Sequence, residues 1–183
     1  MRTPLDPSNG DLTTVFVKFT AHYNEAAHRL LADHDPPLAP ALHFCGRVIG
    51  DLYMVVMEYI AGASPLLGFF PPSPLPRTPR PEVVRKTITK ALELLHKQDI
   101  VFGDLRPLNI LHLRDDDRVF LVDFDWAGKD GEARYSPCLN EELDLGADVV
   151  RWAVMKKSHD TENLERVMKW LSNCTAIKCR GVE

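Results

Sequence analysis

Apolar positions spaced two residues apart predict β-strands in the first third of the chain. Residues 15–19 alternate in part between apolar and polar side chains, which is typical of a strand with one face on the core. Residues 42–49 and 52–60 have the composition of two further strands, joined at Gly50 and Asp51. The second of these is almost wholly apolar, so we expect it to be buried.

A second pair of short apolar runs predicts a β-hairpin in the middle of the chain. The runs are residues 110–113 and 119–122, and both are rich in apolar or β-branched side chains. The charged run 114–118 between them has the composition of a turn. A hairpin here brings residue 123 back beside residue 109.

Apolar positions with a period near 3.6 residues predict four helices. Residues 24–34 form the first, which Asn24 can cap. The second starts at Pro81, a favoured first-turn residue, and ends near Gln98. Its buried stripe comprises Val84, Ile88, Ala91, Leu92 and Leu95. The last two are expected at residues 143–155 and 161–171, with Trp152 and Trp170 in their apolar faces and Asp160 as the cap of the latter.

Residues 63–81 are rich in proline, which forbids a regular helix there. We expect this stretch to be an extended surface linker. A polyproline motif that binds a partner is the alternative interpretation.

Composition and charge are those of an ordinary globular protein. The chain has 183 residues, of which 45% are hydrophobic and 26% charged, and its net charge of −4 gives no reason to expect nucleic acid or an anionic membrane as partner. The first residues contain no apolar signal core, so we expect a cytoplasmic or nuclear protein that is not secreted. The four cysteines are too scattered for a disulfide framework or a zinc site. The oligomeric state stays open.

Two motifs carry the candidate chemistry: VFGDLRPLNIL at residues 101–111 and FLVDFD at residues 120–125. Asn109 follows Asp104 by five residues, and Asp123 follows Asn109 by fourteen. The pattern resembles the catalytic core of the protein-kinase-like superfamily, in which a D-L-x-x-x-N loop and a D-F-G turn act together. Phe102 and Gly103 stand where that family usually has His-Arg, and Asp125 stands in place of the glycine.

The resemblance implies a role for each motif residue. Asp104 would be the base that orients or deprotonates an acceptor hydroxyl, and Asn109 and Asp123 would be the ligands of Mg²⁺. Arg106 would neutralise the transferring phosphoryl group, and a surface charge or a clamp on a neighbouring loop is the alternative role. Asp125 adds a third carboxylate, which could strengthen cation binding or stiffen the turn.

The resemblance extends to the nucleotide site. Lys18 would bind the phosphates of ATP, and Glu25 would be its ion-pair partner. The path between these two is short, so His28 or no residue is the alternative partner, and Glu25 could instead complement the helix dipole. A hinge that bonds adenine through its backbone would comprise Met57, Glu58, Tyr59 and Ile60.

The fold implied is α+β and bilobal, of the protein-kinase-like type. Residues 1–62 would form a reduced antiparallel N-lobe, and residues 63–183 a truncated, mainly helical C-lobe that begins with the linker. Neither a Gly-rich loop before Lys18 nor an A-P-E motif is present in the sequence. The Phe102-Gly103 variant and the short path to Glu25 are more similar to small-molecule kinases of the aminoglycoside-phosphotransferase type, or to fungal-type members, than to typical protein kinases.

Two functions are consistent with these residues. One is a phosphotransferase that uses ATP and Mg²⁺ to phosphorylate a hydroxyl of a protein or of a small molecule. The other is a pseudokinase-like module retained for protein binding, and a truncated gene product is a third possibility. The sequence does not name the acceptor.

Overall fold

The computed structural model describes residues 13–67, 79–113, 115–140 and 145–180. Antiparallel sheets and three α-helices give the mixed α and β architecture that the sequence predicts. The elements are β1 (Val15–Thr20), α1 (Glu25–Ala32), β2 (Leu42–Arg47), β3 (Tyr53–Glu58), β4 (Ala63–Pro65), α2 (Pro81–Lys97), β5 (Ile100–Val101), β6 (Ile110–Leu113), β7 (Arg118–Leu121), β8 (Gly128–Lys129) and α3 (Lys157–Arg180). Among the helices of these ranges, none combines the length and apolarity needed to cross a membrane.

The first sheet has the strand order β1-β3-β2, with all pairs antiparallel. The apolar strand β3 is central, but only its Val55 and Met57 are buried, so the strand is less buried than its composition predicts. Lys18 of β1 lies opposite Val55, so the lysine has buried neighbours on the strand beside it. The turn from β2 to β3 contains Gly50 at φ 77°, a conformation that glycine adopts without strain.

The second sheet has the order β4-β6-β7 and contains the predicted hairpin, β6 with β7. Its third strand, β4, falls within the stretch predicted as a linker and pairs with β6. Ala63–Pro65 are therefore part of a sheet rather than an extended surface crossing. Residues 68–78 of the predicted linker lie outside the described residues, as do residues 1–12.

Helix α2 is the central element of the main core. Its buried residues are those of the predicted stripe: Val84, Ile88, Ala91, Leu92 and Leu95. They pack with apolar residues of α1, β7 and α3 in one cluster. Because this cluster also includes Leu105, Ile110 and Phe124, both candidate motifs are anchored in the core.

The helix predicted at residues 143–155 is not formed in its described part. Residues 145–155 are turns in which Gly146 has φ 98° and Trp152 has φ 64°. Neither value belongs to a right-handed helix. Trp152 is 61% exposed, so it does not anchor an apolar helix face. Leu145, Val149 and Met155 of this segment instead pack with Tyr135 in a small second core.

The last helix is longer than predicted. It begins at Lys157 rather than near residue 161. Asp160 therefore lies inside its first turn and is not the cap that the sequence suggested. The Asp160 side chain is fully buried, and what it contacts is part of the candidate site.

Candidate active site

The loop between β5 and β6 holds Asp104 and Asn109 in direct contact. A 3-10 turn over Pro107–Asn109 reverses the chain, and the N–H of Asn109 donates to the carbonyl oxygen of Arg106 at 2.9 Å. This turn points the Asn109 amide back at Asp104. Asn109 Nδ2 donates to Asp104 Oδ2 at 2.8 Å and to the Asp104 carbonyl oxygen at 2.9 Å. Since the nitrogen is used in this way, the amide oxygen is the atom that remains for a ligand.

The Asp104 carboxyl group is buried, with 4% of the residue exposed. Its Oδ1 lies 2.9 Å from Arg106 Nε, an ion pair whose alignment does not make a hydrogen bond. Burial raises the pKa of Asp104 to about 7, although Arg106 and the Asn109 hydrogen bond act in the opposite direction. A carboxyl group with a pKa in this range can accept a proton near neutral pH.

Packing explains why Phe102 and Gly103 stand in place of His-Arg before Asp104. Phe102 is buried, and its ring packs edge-on against Phe124 with centroids 5.6 Å apart. Gly103 has φ 82°, and a Cβ atom there would overlap the methyl group of Met155 and approach the carbonyl oxygen of Trp126. Glycine is therefore required by both backbone conformation and space.

Asp160 of α3 fixes the same loop from behind. Its Oδ2 accepts hydrogen bonds from the N–H of Phe102 at 2.8 Å and from His96 Nε2 at 2.9 Å. Its Oδ1 accepts one from the N–H of Gly103 at 2.9 Å. The local sequence pattern predicts Asp160 as a helix cap, because it carries no sign that the partners of this residue lie on a distant loop.

Asp123 lies beside Asn109, as the hairpin predicts. The N–H of Val122 donates to the Asn109 carbonyl oxygen at 3.0 Å, which brings the end of β7 back to the loop. Asp123 itself has φ 72°, so the chain turns sharply at this residue. Its Oδ1 lies 2.7 Å from Lys18 Nζ, which joins the first sheet to the site.

Lys18 contacts a second carboxylate that sequence analysis did not assign to it. Asp125 Oδ1 lies 2.8 Å from Lys18 Nζ, and Asp125 Oδ2 accepts a hydrogen bond of 2.7 Å from Thr20 Oγ1. Burial opposes the charge of Lys18, but the two carboxylates outweigh it and raise the lysine pKa. Burial likewise raises the pKa of Asp125, against the effect of Lys18.

The predicted ion pair between Lys18 and Glu25 is not formed. Glu25 is the first residue of α1, and its Oε1 lies 2.7 Å from Arg29 Nε, one helical turn further on. Such pairs are common on exposed helix faces, and both side chains are about half exposed. Glu25 is therefore removed from the set of residues that contact Lys18.

The predicted hinge residues end β3 or follow it: Met57, Glu58, Tyr59 and Ile60. Two of them use backbone groups within the protein. The N–H of Glu58 donates to the Ala41 carbonyl oxygen at 2.9 Å, and the Ile60 carbonyl oxygen accepts from Ala63 at 3.2 Å. Tyr59, which lies between them, makes no backbone hydrogen bond within the described residues.

The donor atoms at this site suit Mg²⁺. Asp123 Oδ2 and the Asn109 amide oxygen are hard oxygen ligands on adjacent segments, and neither atom is hydrogen-bonded to another residue in the described ranges. The same ranges contain no group of three or more His, Cys, Asp or Glu side chains arranged to hold a metal. Magnesium commonly uses only one or two protein ligands and takes the others from phosphate and water.

No family model and no curated protein matches this sequence. Among solved structures, the Cydia pomonella granulovirus kinase PK-1 is similar, with a TM-score of 0.68 and 20% sequence identity. The match covers 88% of this chain and 62% of that kinase, so the chain spans less than two thirds of its length. At this identity the likeness shows the fold alone. The chain therefore has a protein-kinase-like fold with small lobes, as its sequence motifs predict.

Proposed function

We propose that the chain is a phosphotransferase that moves the γ-phosphoryl group of ATP to a hydroxyl acceptor. One observation carries the proposal: Asn109 bonds Asp104, Val122 next to Asp123 bonds the Asn109 backbone, and Asp123 pairs with Lys18. The four residues therefore lie in one connected cluster. The residue types and their order along the chain suit phosphoryl transfer, which depends on positioning and charge stabilisation. Similarity of fold to a kinase supports the same class of reaction.

Asp104 acts as the base. Its Oδ1, which makes no hydrogen bond in the described part of the protein, receives the proton of the acceptor hydroxyl. The acceptor oxygen then forms a bond to the γ-phosphorus as the bond to the β,γ-bridging oxygen breaks, and ADP leaves. Asn109 keeps the carboxylate oriented through its bond to Oδ2, and Arg106 offsets negative charge beside it.

Asn109 and Asp123 hold Mg²⁺ through the two oxygen atoms that the protein does not engage. When bound, Mg²⁺ neutralises the charge of the phosphates. Lys18 contacts the phosphates from the first sheet, and the backbone of Tyr59 contacts adenine. Both a protein hydroxyl and a small-molecule alcohol fit as acceptors, since each presents the same reacting group to Asp104.

The test is Mg²⁺-dependent ATP turnover by the purified chain, with radiolabelled ATP and with protein and alcohol acceptors. We expect slow transfer that disappears on chelation with EDTA. The matched variant is Asp104→Asn, which keeps shape and polarity but cannot take a proton. Turnover at the wild-type rate in this variant contradicts the assigned mechanism.

A pseudokinase-like binding module is the alternative function. The ion pair between Arg106 and Asp104 favours it, because the base is already engaged by a neighbouring cation. In that case no acceptor is phosphorylated, and Asp104→Asn and Asp123→Asn keep full partner binding.

A further inference from the structure

We propose that Asp125 positions Lys18 for the phosphates of a nucleoside triphosphate and takes the place of a glutamate on α1. The inference rests on the proposed function. It concerns a carboxylate that occupies the position of glycine in the D-F-G motif. Asp125 is a positioning residue in this account, because it acts on the nucleotide through Lys18.

Both oxygens of Asp125 are engaged by strand β1. Lys18 and Thr20 are two residues apart on this strand, so their side chains share one face of the sheet. Lys18 Nζ lies 2.8 Å from Asp125 Oδ1, and Thr20 Oγ1 donates to Asp125 Oδ2 at 2.7 Å. The Thr20 hydrogen bond orients the carboxylate so that its other oxygen faces the lysine. Asp125 Oδ1 makes no hydrogen bond within the described residues, so its contact with Lys18 is an ion pair.

The two carboxylate oxygens of Asp123 differ in what they contact. The hydrogen bond from Lys18 goes to its Oδ1, and Oδ2 remains for a cation. A cation on Asp123 competes with Lys18 for the charge of that carboxylate. Asp125 retains the lysine in this case, since its own contact with Lys18 does not depend on Asp123. The two carboxylates therefore have separate tasks, metal binding for Asp123 and lysine positioning for Asp125.

Helix α1 is bonded to the turn at residues 123–127 through Asn24, independently of Lys18. The N–H of Asn24 donates to the Phe124 carbonyl oxygen at 3.1 Å, and Asn24 Nδ2 donates to the Ala127 carbonyl oxygen at 3.1 Å. The segment 123–127 is thus fixed on one side to β1 through Asp125 and on the other to α1 through Asn24. Glu25 is left to pair with Arg29 on the exposed side of the helix.

A double-mutant cycle on the metal-free protein tests the contact without any reference to activity. We expect Asp125→Asn to lower Tm by roughly 2–6 °C in the wild-type background. In a Lys18→Met background the same change should not lower Tm, because Asp125 there faces Asp123 with no cation between them. Glu25→Gln should shift Tm by the same small amount in both backgrounds. Equal losses for Asp125→Asn in both backgrounds overturn the proposal, as does coupling of Glu25 to Lys18.

Nucleotide binding tests the positioning role. Calorimetric titration with Mg·ATP should show weaker binding for Asp125→Asn, by about tenfold or more, and partial recovery for Asp125→Glu, which keeps the charge. Glu25→Gln should bind as the wild type does. Unchanged affinity in Asp125→Asn overturns the positioning role. If the wild type itself binds no Mg·ATP, the proposed function fails, whereas the melting cycle still decides whether Asp125 holds Lys18.

Discussion

Asp160 accepts a hydrogen bond of 2.9 Å from the backbone N–H of Gly103, although the two residues are 57 positions apart in the chain. The same carboxylate accepts a second bond from the N–H of Phe102. Two backbone groups next to Asp104 are therefore held by the first turn of α3. Because Asp160 is fully buried, water does not compete for these hydrogen bonds.

Replacement of Asp160 by asparagine should damage both stability and catalysis. The amide offers one acceptor where the carboxylate offers two, and its NH₂ group meets a backbone N–H. We expect the free energy of unfolding to fall by about 2–4 kcal/mol. ATP turnover should fall as well, since Asp104 loses its support. Urea denaturation measures the first effect, and exposed Asp148→Asn is the control. Equal stability of the two variants contradicts the anchoring role.

Gly103→Ala should be more destabilising than Gly131→Ala. Both glycines have positive φ, 82° and 73°, so each variant incurs a similar backbone cost, about 1–2 kcal/mol. Only residue 103 adds a steric cost, because a Cβ there overlaps Met155, whereas nothing lies within 4 Å at residue 131. The difference between the two unfolding free energies isolates the clash.

Met155→Ala provides the check on this interpretation. The change leaves space for the added methyl group, so it should cost less in the Gly103→Ala background than in the wild type. Additive losses in the double variant contradict the clash with Met155.

His28 should make stability depend on pH. Its Nε2 donates to the Pro40 carbonyl oxygen at 2.8 Å, and its Nδ1 accepts from the Tyr23 hydroxyl at 2.6 Å, which satisfies the neutral ring. Burial lowers the pKa of His28 to about 4, from an ordinary value of 6.5. Between these values the unfolded chain binds a proton that the folded protein does not. The contribution of His28 to the free energy of unfolding is therefore complete above pH 6.5. About 3 kcal/mol of it is lost as the pH falls towards 4.

His28→Gln separates this effect from those of other groups. Glutamine can still donate to Pro40 but does not titrate. The gap in unfolding free energy between wild type and His28→Gln should narrow as the pH falls from 7.5 to 4.5. His43→Gln, at an exposed histidine outside the core, is the matched control for the exchange itself. A gap that stays constant with pH shows that His28 does not behave as described.

The fold was predictable where the pattern is local. The stripe of α2, the hairpin of β6 and β7 and the cap at Asn24 depend on neighbours within a few residues, and the structure agrees with each. The predicted helix at 143–155 failed because apolar residues at helical spacing can also be buried by turns around another residue, here Tyr135.

The site was predictable in its spacing but not in its ion pairs. The hairpin predicted correctly that Asp123 returns to Asn109. The partner of Lys18 depends on which carboxylate the tertiary fold brings within reach. The family pattern predicted Glu25 as this partner. In the structure Asp125, which stands in place of the glycine, pairs with Lys18, and Glu25 pairs with Arg29 on its own helix. The buried role of Asp160 was missed for the same reason, since its partners belong to a distant loop.

Asp123→Asn should weaken binding of Mg·ATP, whereas Asp104→Asn should leave it nearly intact. The first change removes a charged ligand from the cation, and the second alters a group that contacts the acceptor rather than the nucleotide. A thermal-shift titration with millimolar Mg·ATP measures both, because a ligand that binds only the folded state raises Tm. Absence of any shift in the wild type contradicts the use of ATP.

The most direct test of the central claim is single-turnover phosphoryl transfer by wild type and Asp104→Asn with saturating Mg·ATP. If Asp104 is the base, the variant should bind nucleotide but transfer the phosphoryl group on the order of 10²–10⁴ times more slowly. Wild-type rates in Asp104→Asn, or no transfer by the wild type to any protein or alcohol acceptor, would contradict the claim.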